Sequence, residues 1–238
     1  MKTIINTISF LLFVLTLQSC SFNAIKGNKT IIEKEVSIDD YSAIEFSGGA
    51  SLVYEQKTDA APYFRVEIDE NIYPLLTIEV DNGTLSIGSK ENIRPTKYNI
   101  YTNSTELKRL ETSGSINAHL KGKLVTDEMD IETAGSATIL IDDLTCEVIR
   151  SETAGSGEIT IAGSANEMHC SAAGSGKVKA LSMVANNVYC EVAGSGNFAV
   201  HAVEYLSVDI AGSGKVAYKG EPKIDQSISG SGKIGRAE

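Results

Sequence analysis

The side chains best placed to do chemistry form a column. Three positions before successive glycines stand Glu111, Glu132, Glu152, Ser171, Glu191 and Asp209, five carboxylates at one phase of a repeat. Like charges one rung apart repel by about 1 kcal/mol per pair at a wet surface. Calcium would relieve that repulsion, because carboxylate oxygens suit a hard divalent cation. Lys177, Lys215 and Lys233 on the following strand, with Arg150 nearby, would relieve it equally well. A solvated acidic face is the plainer reading, so neither a metal nor a cofactor is expected.

The remaining reactive groups point to structure rather than catalysis. His119, His169 and His201 fall at different repeat phases, and a hydrolytic triad would need one of them beside an activated nucleophile. They read as outward-facing surface histidines. Cys170 and Cys190 share one inward position in consecutive rungs, which brings their Cα atoms to about 4.8 Å, within disulfide range. Parallel in-register Cβ vectors rarely give the required dihedral, so stacked apolar thiols are expected, with Cys146 unpaired. Seven regularly repeated Gly-Ser pairs invite comparison with a phosphate cradle or a serine nucleophile. Seven equivalent serines cannot each be a nucleophile, and no Gly-x-x-x-x-Gly-Lys-[Ser/Thr] pattern occurs. No catalytic residue is expected.

What positions these groups is the repeat itself. Gly-Ser recurs at Gly114, Gly135, Gly155, Gly174, Gly194, Gly212 and Gly230, at intervals between 18 and 21 residues. Two, four and six positions before the five glycines from Gly135 to Gly212 stand mostly apolar residues, as in Val188, Cys190 and Val192 or Leu206, Val208 and Ile210. The same parity continues after the turn, through Ile159, Val178, Phe198 and Val216. A period of two means strands. Each repeat is a strand, a glycine-bearing bend and a second strand, followed by a return segment of variable length. One such unit cannot bury its apolar face alone, but stacked copies make a continuous interior. A rung near twenty residues is too short for a βαβ unit. The predicted fold is all-β, a right-handed parallel β-helix with a more irregular β part at the amino-terminal side. The glycines are its structural turn ladder, where the chain bends close to the next backbone.

Ahead of the repeats, Ile44, Phe46, Gly48, Ala50, Leu52 and Tyr54 keep the same parity around Gly48. Strand candidates follow at Phe64/Val66/Ile68, Leu76/Ile78/Val80, Leu85/Ile87 and Tyr98/Ile100. Asn82-Gly83 reads as a hairpin turn, and Asp69 to Leu75 as a single helical turn. Residues 30–106 are expected as irregular rungs and residues 107–238 as regular ones, together forming a single head domain over 30–238.

Composition and the first twenty residues give an address. The 238 residues carry 21 Lys+Arg against 31 Asp+Glu, a net charge of −10, which disfavours a nucleic-acid partner. Lys2 precedes an apolar run from Ile8 to Leu17, too short to cross a bilayer as a helix. The run ends in Leu17-Gln18-Ser19-Cys20, similar to the bacterial lipoprotein signal, in which cleavage before the cysteine leaves it as the lipidated first residue. The expectation is a signal peptide over 1–19, lipidation at Cys20, a tether over 20–29, and a head held to the outer membrane of the cell envelope by its lipid.

The lipoprotein start, the run Asp81-Asn82-Gly83-Thr84-Leu85-Ser86-Ile87, the segment Leu107 to Leu110 leading into Ser113-Gly114-Ser115-Ile116-Asn117, and the Ala-Gly-Ser-Gly repeats resemble the family called putative auto-transporter adhesin, head GIN domain. The resemblance covers roughly residues 40 to 220. It implies a β-helical, envelope-associated domain and carries no catalytic residues to transfer. The combined expectation is a non-enzymatic adhesion or surface-interaction module whose partner is an envelope or extracellular macromolecule. A rival expectation is an assembly protein self-associating weakly through the open β-helix end, since the last repeat, Ile228 to Ile234, is followed by only four residues. A carbohydrate-active enzyme is disfavoured by five arginines, absent tryptophan and return segments too short to build a groove.

Overall fold

The computed structural model describes residues 23–237, so the expected signal segment and Cys20 lie outside the described residues. Strands take up 73% of the described residues. The amino-terminal part contains β1 (Ile25–Lys26), β2 (Ile31–Ser37), β3 (Ala43–Gly48), β4 (Ser51–Gln56), β5 (Tyr63–Asp69), β6 (Leu76–Asp81), β7 (Thr84–Ser89), β8 (Ile93–Arg94) and β9 (Tyr98–Ser104). Then come β10 (Arg109–Gly114), β11 (Asn117–Val125), β12 (Glu128–Gly135), β13 (Thr138–Gly155), β14 (Glu158–Gly174), β15 (Lys177–Gly194), β16 (Asn197–Gly212), β17 (Lys215–Lys219), β18 (Lys223–Gly230) and β19 (Lys233–Arg236).

From β10 onward each strand pairs in parallel with its equivalent one turn later. This is the parallel β-helix that the period predicts, a β-solenoid of about six turns. The seven glycines from Gly114 to Gly230 stand in one unbroken register, and Gly48 joins it by pairing with Gly114. Crowding explains the residue type. At Gly135 φ is +117°, and a Cβ would stand 2.6 Å from the carbonyl oxygen of Gly114. The second glycine of the Gly-Ser-Gly motif points inward instead: a Cβ on Gly214 would meet Val192 Cγ1 at 2.5 Å.

Alternation carries the core through every turn. Ile159, Val178, Phe198 and Val216 are all buried, as are Met129, Ile149, Met168, Val188 and Leu206. The return segments depart from expectation. From Thr138 a single strand runs through each return to the next glycine, as β13 to β16 show. Return residues keep pairing with the turn below, Leu144 with Gly163 and Cys146 with Ala165, and register shifts such as that between Ile141 and Leu144 absorb the differences in rung length. An unpaired return would leave its backbone polar groups unsatisfied.

The amino-terminal part is built differently. Here β2 runs antiparallel to β5, β5 to β9, and β6 to β7, while β3 and β4 pair in parallel with β7 and β9 on one side and with β10 and β11 on the other. Asn82 and Gly83 have φ of 48° and 76° and close the β6–β7 hairpin, as two residues with positive φ do in a type I′ turn. Tyr73–Leu75 forms a single 3₁₀ turn. Side-chain hydrogen bonds bind these strands together. The buried Asp69 carboxylate accepts from the Lys29 N–H at 2.7 Å, the Thr96 N–H at 2.6 Å and the Thr96 hydroxyl at 2.8 Å. Burial opposes its ionisation, but these donors outweigh burial and hold the carboxyl below the usual range. Tyr41 and Tyr54 place their hydroxyls 2.7 Å from Thr102 and 2.8 Å from Ser104.

Candidate functional site

One face of the solenoid collects most of the predicted site residues. Glu111, Glu132, Glu152, Ser171, Glu191 and Asp209 occupy successive register positions. Each points outward because the preceding residue, as in Leu110, Ile131, Ser151, Cys170, Cys190 and Val208, is buried. The column extends further than the repeat shows, since Glu45 pairs with Glu111. Sixty-odd residues of irregular chain separate those two, so repeat spacing alone does not reveal Glu45. Its signal is the Gly48 parity, which puts Glu45 three residues before a glycine.

The charge balance of this face is set by arginines. Arg109 reaches Glu111 at 2.5 Å and Glu132 at 3.6 Å, and Arg150 reaches Asp130 at 3.0 Å and Glu128 at 3.4 Å. They belong to a neighbouring column, Arg109, Asp130, Arg150, His169 and Tyr189, in which charge alternates before giving way to aromatic rings. The lysines expected to relieve the acidic column do not touch it. They lie beyond the Gly-Ser bend, where alternation and the turn aim them at another side, and Lys177 pairs with Glu158 at 3.9 Å. Glu132 shows the resulting stress. Burial pushes its carboxyl up, Arg109 pulls it down, and the charges of Glu111, Glu152 and Asp130 push it further up.

Above the columns the surface is troughed along the solenoid axis. A cavity of about 430 Å³ reaches from Glu45 and Glu79 to Glu111 and Ser113. A second, of about 220 Å³, shares Glu111 and Ser113 and runs on to Glu152 and Ser171. A third, of about 210 Å³, shares those two and ends at His169, Tyr189 and Glu191. Among the described residues no three His, Cys, Asp or Glu side chains converge as a metal site.

The histidines are partly exposed and separate. His119 Nε2 stands 2.8 Å from Asp142, while His169 stands 3.3 Å from Glu167 and stacks on Tyr189 with ring centroids 4.6 Å apart. Cys170 and Cys190 are in register, buried and free, and Cys146 is free and buried. The hydrogen bond with Cys170 and complete burial push the Cys190 thiol well up, which disfavours the reactive thiolate.

A stacked parallel solenoid with a long, shallow, charged face defines a repeat scaffold, a class in which successive turns display side chains at fixed spacing. The chain belongs to the family described as putative auto-transporter adhesin, head GIN domain, whose model matches residues 40–222. Among solved structures it is similar to a putative lipid binding protein from Parabacteroides distasonis, with 35% identity and a TM-score of 0.78 over 91% of this chain and 100% of that one. It is also similar to a putative adhesin from Bacteroides fragilis, with 26% identity and a TM-score of 0.84 over 89% and 99% of the two chains. A putative adhesin from Parabacteroides merdae follows at 27% identity and a TM-score of 0.75, over 91% and 100%. No curated protein matches the chain. The family and its adhesin structures support an adhesion-type role at the cell surface or envelope.

Proposed function

We propose that the protein is a lipid-anchored, non-catalytic envelope module that presents its acidic face to a macromolecular partner carrying basic groups. The observation that carries this reading is the in-register column from Glu45 to Asp209, which the arginines neutralise only in part. Such a face attracts a cationic surface and selects against an anionic one. The non-catalytic reading is supported by the adhesin-type family and its structures. Anchoring rests on Leu17 to Cys20.

Cells displaying wild-type protein or the triple variant E132Q/E152Q/E191Q, compared for capture of envelope material and of other cells, test the face. Loss of capture in the variant is expected, and equal capture by both overturns the acidic face as the contact. Cys20→Ala is expected to abolish labelling by palmitate and release the protein from the membrane fraction. A labelled or membrane-bound variant refutes the anchor.

A second reading, self-association, draws on β18. This strand is exposed along its whole length, and Ile224 and Ile228, in inward register below Leu206 and Ile210, are 38% and 39% exposed. Sedimentation of wild type against Ile228→Pro, which removes a ladder donor, separates the two: identical monomers across micromolar concentrations refute assembly.

A further inference from the structure

A different site lies at the amino-terminal end of the trough. A pocket of about 270 Å³ opens where the Gly48 bend meets β7 and β8, walled by Gly48, Gly49, Gly88, Asn92, Arg94 and Tyr98. Glycines leave its backbone uncovered, so a ligand can approach the main chain closely.

Two side chains there stand apart from their kind. Tyr98 is 8% exposed, and its hydroxyl is buried without a hydrogen-bond partner among the described residues. The other fully buried tyrosine hydroxyls, those of Tyr41 and Tyr54, are paired. A buried orphan hydroxyl costs free energy until something bonds to it. Burial also pushes its pKa up, so it remains a donor. Arg65, Arg109, Arg150 and Arg236 each bind a carboxylate. Arg94, the fifth arginine, has no such partner among the described residues, and it is exposed at this pocket.

The pocket wall therefore offers a guanidinium fork and an amide, and includes Tyr98, whose orphan hydroxyl solvent does not reach; no carboxylate lines it. That set suits one anionic group. Across Ser47 and Gly88, which both cavities share, the larger cavity presents Glu45, Glu79 and Glu111. Carboxylates accept from hydroxyl groups and repel a second anion. The ligand that satisfies both halves has a hydroxylated body and a single anionic group at one end.

We propose that this pocket binds an acidic sugar residue, its carboxylate or phosphate held by Arg94, Asn92 and the Tyr98 hydroxyl, its hydroxyls facing Glu45 and Glu79. The site shares Glu45 with the acidic column but none of the carboxylates replaced in E132Q/E152Q/E191Q. Capture of cells can fail while the sugar binds, and the reverse.

Calorimetry on the full chain in detergent with glucuronate, glucose 6-phosphate, glucose and inorganic phosphate tests it. One or both acidic sugars should bind about tenfold or more tightly than glucose or phosphate, as expected for one charge-assisted hydrogen bond or more. Binding of glucuronate alone assigns a carboxylate ligand, and of glucose 6-phosphate alone a phosphorylated one. Inorganic phosphate binding as tightly as the sugars overturns the sugar assignment, and no binding of either acid at millimolar concentration overturns the site. Arg94→Ala should lose the binding, and unchanged affinity in that variant places the ligand elsewhere. Tyr98→Phe should weaken binding about tenfold without lowering the melting temperature of the ligand-free protein. A lowered melting temperature would show the hydroxyl already satisfied within the fold and remove it from the site.

Discussion

Residues 109–236 and residues 31–104 bury comparable rows of apolar side chains by different hydrogen-bonding means. In the solenoid, backbone register does the holding, and inner hydroxyls are marginal: Thr112, Thr133 and Ser151 reach carbonyls of the next turn only at 3.5 Å. In the amino-terminal part, buried side chains bind strands distant in sequence at 2.6 to 2.8 Å, through Asp69, Thr102 and Ser104. A repeat can rely on its backbone because each turn offers the next an identical edge. An irregular wrap offers no such edge, so individual side chains must specify who pairs with whom.

This contrast is open to direct attack. The largest effect is expected at Phe198, which is 2% exposed in the solenoid core. Phe198→Ala should cost about 3 to 5 kcal/mol in a urea melt. Next comes the ladder. Gly155→Ala, at φ +119° with a Cβ 2.7 Å from the carbonyl oxygen of Gly135, should cost about 2 to 4 kcal/mol through strain and collision. Gly83→Ala, at φ +76° with open space around it, should cost only the left-handed strain, about 1 to 2 kcal/mol. Equal losses at the two glycines would show that backbone crowding between turns contributes nothing.

Asp69→Ala targets the amino-terminal part and should cost about 1 to 3 kcal/mol at pH 7, because buried donors lose their acceptor. Its folded pKa is depressed, so the stabilisation is present above the unfolded value near 3.9 and disappears as pH falls through the lower folded value. Melts of wild type and variant should therefore converge well below pH 4. A gap that persists there assigns the loss to packing instead. The smallest effect is expected at Lys177, whose side chain is 53% exposed and 3.9 Å from Glu158. Lys177→Ala should cost under about 0.5 kcal/mol.

The same contrast explains what could be read from the sequence. Period-two alternation around each glycine identified the parallel β-helix, the inward row through Phe198 and the outward column through Glu152, because in a repeat the local pattern and the global register are one fact. Gly48 and the Asn82-Gly83 hairpin were legible for the same local reasons. The antiparallel pairing of β2 with β5 was not, since it depends on contacts such as Asp69 with Lys29 and Thr96 that follow no period. Arg109 as the counter-charge to Glu111 and Glu132 was likewise hidden, while the lysines that follow the repeat stand around the bend. The pocket at Tyr98 draws on three separate segments, and no spacing links Gly48, Gly88 and Arg94.

The unbroken glycine register also has a mechanical meaning. Hydrogen bonds between turns run along the solenoid axis, and each turn is held only by its neighbours. A pull from end to end therefore loads the turns in series, so the weakest junction alone sets the force at which the structure begins to peel. A load entering sideways, through the column from Glu45 to Asp209, is divided among as many turns as the contact covers. The same stack is thus compliant under axial tension and resistant under lateral traction.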